Sequence, residues 1–255
     1  MKQTVTINNG AQMPLLGFGV FQIPQTETAD VVAAAIRAGY RHIDTAQAYL
    51  NETEVGQGIR QSAVAREDLF VTTKIWVENA GEVAAQASLE RSFAHLKFDY
   101  LDLVLIHQPH GDYYDTWRVL EEWQAAGKIR SIGVSNFTPD RVVDLGLFNK
   151  VMPQVNQIEI NPFHQRAEQI AALKNEGVIV QAWAPFAEGK NGIFQNEILN
   201  RIAQKHGKSA AQIILRWLVE QEISVLAKSV KPERMAQNLR SEEHTSELQS
   251  LVIIS

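Results

Sequence analysis

Four residues able to move or stabilise a proton stand at the ends of apolar runs: Asp44, Lys74, His107 and, just beyond Asp44, Tyr49. A tyrosine ionises near pH ~10, so it is protonated at neutral pH and can donate. An ammonium beside it lowers that value and eases donation as an alkoxide forms. Lys74 can supply that charge, and Asp44 can keep Lys74 charged and oriented. His107 can hydrogen-bond the same oxygen. Such a set suits proton delivery to the oxygen of an aldehyde or ketone while hydride arrives on its carbon. Each residue has an ordinary reading alone: a packed tyrosine, a structural ion pair, a satisfied core histidine. Only their joint placement argues for chemistry.

That placement depends on the elements that carry them. Short β-branched apolar runs at 40–45, 69–75, 101–107, 129–135, 154–160, 178–184 and 223–228 read as strands. Helical patterns alternate with them, for example at 27–38, 80–96, 116–126, 167–175 and 210–220. The first of these ends at Gly39, a helix-stop signal. Val71, Leu103, Val104, Leu105, Val155 and Val180 lie in runs apolar on both faces, as buried parallel strands are. Repeated strand–helix units predict a (β/α)8 TIM barrel. The opening stretch reads as a strand ending at Asn9-Gly10, with 13–19 returning as its hairpin partner. Gly17-Phe18-Gly19 then falls in the hairpin and is not a dinucleotide fingerprint. This leaves seven barrel strands, one short. Residues just past the strand ends face the site of such a barrel, and there stand Asp44, Lys74, Trp76, His107, Ser135, Asn136, Gln157, Trp183, Lys228 and Ser229.

Composition narrows the class. The chain has 255 residues, 45% of them hydrophobic, enough for one barrel of about 250 residues. Its net charge of −5 gives no general attraction for nucleic acid or an anionic membrane. Cysteine is absent, which excludes disulfides, thiolate catalysis and cysteine zinc sites. His95, His110, His164 and His206 lack metal-ligand spacing, so no metal is expected. No run has the apolar length of a membrane span, and residues 1–10 carry no signal-peptide core. A cytoplasmic location follows by default.

The chain resembles the aldo-keto reductase family. The motifs are Met13-Pro14-Leu15-Leu16-Gly17-Phe18-Gly19, Tyr40-Arg41-His42-Ile43-Asp44-Thr45-Ala46 with Tyr49, Asn51 and Glu52, then Thr73-Lys74-Ile75-Trp76. Leu105-Ile106-His107, Gly133-Val134-Ser135-Asn136-Phe137, Val155-Asn156-Gln157 and Lys228-Ser229-Val230 follow in order. The likeness spans residues 1–239 and is nearest the bacterial 2,5-diketo-D-gluconate reductase branch. It implies a catalytic tetrad of Asp44, Tyr49, Lys74 and His107, and an extended NADPH held by loops. It implies that Ser135, Asn136 and Gln157 hold the nicotinamide carboxamide and that Trp183 stacks on its ring. Lys228, Ser229, Val230, Lys231 and Arg234 match positions near the adenosine 2′-phosphate, and Asn238 an adenine contact. Phe21, Trp76, Gln108 and His107 would form the substrate wall. Phe21 and Gln108 stand where tryptophan is frequent, giving a less aromatic pocket with an extra amide, suited to a polar carbonyl. The resemblance also implies a monomer.

Residues 240–255 break the pattern. Arg240-Ser241-Glu242-Glu243-His244-Thr245-Ser246-Glu247-Leu248-Gln249-Ser250 is polar and matches, codon by codon, the translation of a common sequencing-adapter DNA. The tail is read as non-native and the barrel as truncated before its eighth strand and C-terminal loop. Unpaired strand edges are then expected, with low stability and weak activity. Leu251-Val252-Ile253-Ile254 is strand-like and would fill the gap only by accident.

Two readings compete with carbonyl reduction. One is a cofactor-binding, redox-sensing regulatory subunit with little turnover; a pure sensor does not need the acid. The other is a non-enzymatic barrel, which makes every strand-end residue a coincidence.

Overall fold

The computed structural model describes residues 3–242. Strands β1 (Thr4–Thr6) and β2 (Gln12–Pro14) form an antiparallel hairpin with Val5 opposite Met13. Eight parallel strands then close a barrel: β3 (Leu16–Gly19), β4 (His42–Asp44), β5 (Phe70–Ile75), β6 (Leu101–Ile106), β7 (Ile129–Ser135), β8 (Val155–Glu159), β9 (Ile179–Trp183) and β10 (Ser224–Ala227). Helices α1 (Gln25–Ala38), α2 (Glu52–Gln61), α3 (Glu82–Leu96), α4 (Tyr113–Ala125), α5 (Pro139–Leu147) and α6 (Ala167–Asn175) follow β3 to β8 in turn. α7 (Glu197–His206) and α8 (Ala210–Glu220) follow β9, and α9 (Pro232–Leu239) follows β10. No helix among the described residues is long and apolar enough to cross a membrane.

The strand count corrects the expectation of a seven-stranded, open barrel. Residues 13–19 do not run as one hairpin arm. The chain leaves β2 at Pro14 and re-enters as β3, which pairs β10 (Leu226 beside Gly17) and β4 (Phe18 beside Ile43). The eighth strand of the barrel is β10, not a segment beyond residue 239, and no edge is left between first and last strands. The expected weakness from unpaired edges therefore has no basis in the fold. β3 escaped because it is four residues long with two glycines. Gly17 is required by space: a Cβ there would lie 2.7 Å from Leu226 Cδ2 and 2.9 Å from His42 Nδ1.

Local chemistry explains the elements. β5 and β6 are buried along their whole length, between the barrel interior and the helices. α1 stops where Gly39 takes φ 122°, and its N–H bonds Ile36 O. α8 opens with a reciprocal capping box between Ser209 and Gln212. The hairpin plugs the N-terminal end of the barrel: Met13 has no exposed surface, and Asn9 Nδ2 donates to Arg130 O at the start of β7. After α9 the chain makes a 3-10 turn, Arg240–Glu242, with Ser241 buried. Residues 243–255, with the strand-like run at 251–254, lie outside the described residues.

Candidate active site

The C-terminal strand ends converge on one cavity of about 670 Å³. Its wall includes Asp44, Tyr49, Trp76, His107 and Gln108, together with Ser135, Asn136, Gln157 and Trp183. Phe21, Lys228 and Arg234 also line it. Ser229, Val230, Lys231 and Asn238 do not. Asn238 is buried, and Val230 is exposed. Ser229 Oγ accepts from Lys231 N in the turn leading into α9.

At the cavity floor, Lys74 Nζ donates to Asp44 Oδ1 at 2.6 Å and to Thr45 O at 2.9 Å. It also lies 3.3 Å from Tyr49 Oη. Asp44 ends β4 and Lys74 lies on β5, its neighbour, so the pair is set by adjacent parallel strands. Tyr49 ends a 3-10 turn, Gln47–Tyr49, that brings its ring back over the barrel mouth. Gln47 anchors the turn: its Oε1 accepts from Trp76 N and Asn79 Nδ2, and its Nε2 donates to Ser92 Oγ. Phe21 packs on Tyr49 with ring centroids 4.9 Å apart, and His107 meets the Tyr49 ring edge-on at 5.7 Å. Trp76 also meets His107 edge-on, with ring centroids 5.0 Å apart.

Burial and the ion pair set the protonation states. Burial pushes the Lys74 ammonium down, but the charge and hydrogen bond of Asp44, with Tyr49, outweigh it and hold Lys74 above its ordinary value. Burial raises the Tyr49 phenol, and Lys74 pulls it back. The net direction is upward, so the sequence expectation of a lowered phenol is corrected: before any ligand enters, desolvation of the phenolate exceeds the pull of the ammonium. Tyr49 is thereby held protonated. Burial, aided by the Lys74 charge, lowers His107 from 6.5 to about 3, which makes it a neutral imidazole.

Next to this floor stand the groups read as cofactor contacts. Asn136 takes a left-handed φ of 63°, which asparagine tolerates. There its Nδ2 donates to His107 O, and its Oδ1 accepts from Trp183 Nε1 at 2.9 Å. Ser135 Oγ donates to Gln157 O. Neither Ser135 nor Asn136 caps α5, whose N-cap is Thr138. Lys228 Nζ reaches Gln22 O at 3.5 Å. The Arg234 guanidinium has no partner among the described residues.

Sequence reading missed part of the wall. Phe186, Glu188 and Phe194 line the cavity from the irregular loop after β9, so it is more aromatic than expected. Loop conformation has no period to read. Gln181 was missed too, though a lone amide at the centre of apolar β9 was a legible signal.

The comparisons agree with this geometry. The family model described as "Aldo/keto reductase family" matches residues 15–251. Glyoxal reductase of Bacillus subtilis (strain 168) is 45% identical over 240 residues, covering 93% of this chain and 86% of the relative. Methylglyoxal reductase of Yersinia pestis is 38% identical over 258 residues, covering 100% and 92%. The crystal structure of a Bombyx mori aldo-keto reductase in complex with NADP superposes with a TM-score of 0.93 at 33% identity, covering 98% and 91%. The barrel, the floor of its cavity and these likenesses together show that the chain belongs to the aldo/keto reductase family.

Proposed function

We propose that the protein reduces small polar aldehydes, ketones or dicarbonyls to alcohols with NADPH, using Tyr49 as proton donor. The observation that carries this reading is the buried Asp44–Lys74–Tyr49 chain opening into an aromatic cavity beside neutral His107. NADPH, when bound, supplies the hydride. The residues present fit it: amides of Asn136 and Gln157 near the floor, the Trp183 ring beside them, and the cations Lys228 and Arg234 on the same wall. The same reading puts Ser135 at the carboxamide, Ser229, Val230 and Lys231 with Arg234 near the adenosine 2′-phosphate, and Asn238 at the adenine. Ser135 Oγ donates to Gln157 O, and Ser229 Oγ accepts from Lys231 N in the turn that leads into α9.

The carbonyl oxygen would sit between Tyr49 Oη and His107. Tyr49 gives up its proton there as negative charge grows, and Lys74, 3.3 Å away, stabilises the phenolate left behind. Asp44 keeps Lys74 charged. Phe21, Trp76 and the other rings would give a bound substrate an apolar wall beside these groups. Gln108 offers an amide to a second oxygen, which favours a dicarbonyl. Reductases of glyoxal and methylglyoxal among the relatives support that class.

The finer placement in the 2,5-diketo-D-gluconate reductase-like branch, action as a monomer, and a non-native origin of residues 240–255 belong to the same reading. The tail rests on its match to adapter DNA; resequencing the genomic locus tests it, and the same tail in the genome overturns it. The activity is tested by NADPH oxidation with a panel of carbonyls for wild type and Tyr49→Phe. The reading expects turnover by the wild type and a loss of about 10²–10⁴-fold in the variant. Unchanged rates remove Tyr49 from the mechanism, and no turnover with normal NADPH binding favours a sensor.

A further inference from the structure

Below the catalytic floor Gln157 continues into a line of buried polar side chains, Gln181 and Ser224, that the reaction scheme leaves unused. Gln157 Nε2 donates to Asp44 Oδ2 at 2.9 Å and to Gln181 Oε1 at 2.7 Å. Gln181 Nε2 donates to Ser224 Oγ at 3.0 Å and approaches Met13 Sδ at 3.8 Å. Ser224 Oγ donates to Pro14 O at 3.2 Å. Gln181 and Ser224 have no exposed surface, and Gln157 only 3%. The line crosses the barrel from β4 through β8, β9 and β10 to the end of the N-terminal hairpin.

Its polarity is forced. The Pro14 carbonyl can only accept, so the Ser224 hydroxyl donates to it and accepts from the Gln181 amide nitrogen. Gln181 must then turn its oxygen to Gln157. At the other end the Asp44 carboxylate, paired with Lys74, also accepts. Gln157 is thus a donor on both sides. Turning its amide over would set its oxygen against two acceptors in a dry interior, at the cost of two buried hydrogen bonds. Both N–H bonds are used, and since Gln157 lines the cavity, the group it has left to offer there is its acceptor Oε1.

We propose that Gln181 is a positioning residue that locks the Gln157 amide with its oxygen toward the cavity, so that the site recognises the N–H of a nicotinamide carboxamide. The inference rests on the NADPH reading above. It gives a mid-strand polar residue, outside the cavity wall, a part in cofactor selection. A chain of hydrogen bonds to Ser224 and the hairpin backbone holds the setting.

The test is equilibrium binding without substrate, followed by tryptophan quenching, with NADPH and its 3-acetylpyridine analogue. The analogue keeps the carbonyl on the ring but has no amide N–H. Wild type should prefer NADPH by about tenfold, the worth of one hydrogen bond and an acceptor left unpaired. Gln181→Met, similar in size, frees the second Gln157 N–H to turn into the cavity, and the preference should shrink to about threefold or less. Ser224→Ala releases Gln181 more gently and should shift the ratio in the same direction; it carries the test if Gln181→Met does not fold. A merely structural role would weaken both ligands equally, so an unchanged ratio in folded variants overturns the proposal. So does a wild-type ratio near one. Failure of wild type to bind either ligand instead overturns the NADPH reading on which the inference stands.

Discussion

Lys74 Nζ stands 3.3 Å from the Tyr49 hydroxyl, and the Lys74 side chain has no exposed surface. Burial raises the phenol, and the charge and hydrogen bond of Lys74 oppose that rise. Lys74→Met should therefore leave Tyr49 a protonated but poor acid. We expect turnover to fall by about 10²-fold or more while NADPH affinity stays within a few-fold. The double variant with Tyr49→Phe should be little worse than either single one, because the pair acts as a unit. Single-turnover rates for the four proteins check this; additive losses would separate the two residues.

The same lysine ties activity to stability. Asp44→Asn leaves a buried ammonium without its counter-charge, a change that costs about 3–5 kcal/mol in comparable settings. Adding Lys74→Met removes the stranded charge. Urea denaturation should show the double variant recovering much of the lost stability while remaining inactive. A double variant no more stable than Asp44→Asn would mean that the pair contributes through packing rather than charge.

Histidine ionisation should shape the acid limb of stability. His107 and His42 are both lowered from 6.5 to about 3, chiefly by burial. The folded protein excludes a proton that the unfolded chain takes up near pH 6.5. Their contribution is thus fully present above that value and is lost as pH falls toward 3. Substituting His107→Gln should flatten the decline of the urea midpoint between pH 6.5 and about 4 relative to wild type. His107 stays neutral throughout that range, so it should add no limb of its own to the rate profile above pH ~4. An unchanged stability profile in His107→Gln would place the ring in a more solvated setting than the one seen.

The extent to which this site could be read in advance follows from what each residue contributes to a local pattern. Asp44, Lys74 and His107 sit where apolar runs stop, and polar residues there conflict with burial unless they pair. That conflict is visible in one dimension. β3 was missed because barrel closure, not local hydrophobicity, makes Leu16–Gly19 a strand: it is held on both sides by β10 and β4. Without β3 the local pattern yields seven strands, and an eighth is then expected beyond residue 239. Phe186 and Phe194 depend on loop geometry with left-handed residues such as Ala187 and Glu188. The upward shift of Tyr49 depends on how completely it is desolvated, which spacing does not encode. Its ammonium neighbour was legible; the balance between the two was not.

Arg234 offers the last prediction. It lies in the first turn of α9 after Pro232, exposed at the cavity wall, and has no partner among the described residues. A guanidinium so placed is open to a doubly charged phosphate, which it can grip through two N–H groups. The backbone adds little there, because Pro232 has no N–H and the N–H groups of Arg234 and Met235 both bond Lys231 O, so the guanidinium carries the contact. The 2′-phosphate distinguishes NADPH from NADH, so Arg234→Ala should weaken NADPH by about 10- to 100-fold and NADH by no more than about twofold. Lys231→Ala should do the same to a smaller degree, since its ammonium is a point charge off the cavity wall. Lysine at position 234 should restore part of the preference by charge alone, without the forked geometry. Dissociation constants for both cofactors, measured by fluorescence at fixed ionic strength, decide between these outcomes. Equal weakening of NADPH and NADH would show that Arg234 supports the loop and does not read the phosphate.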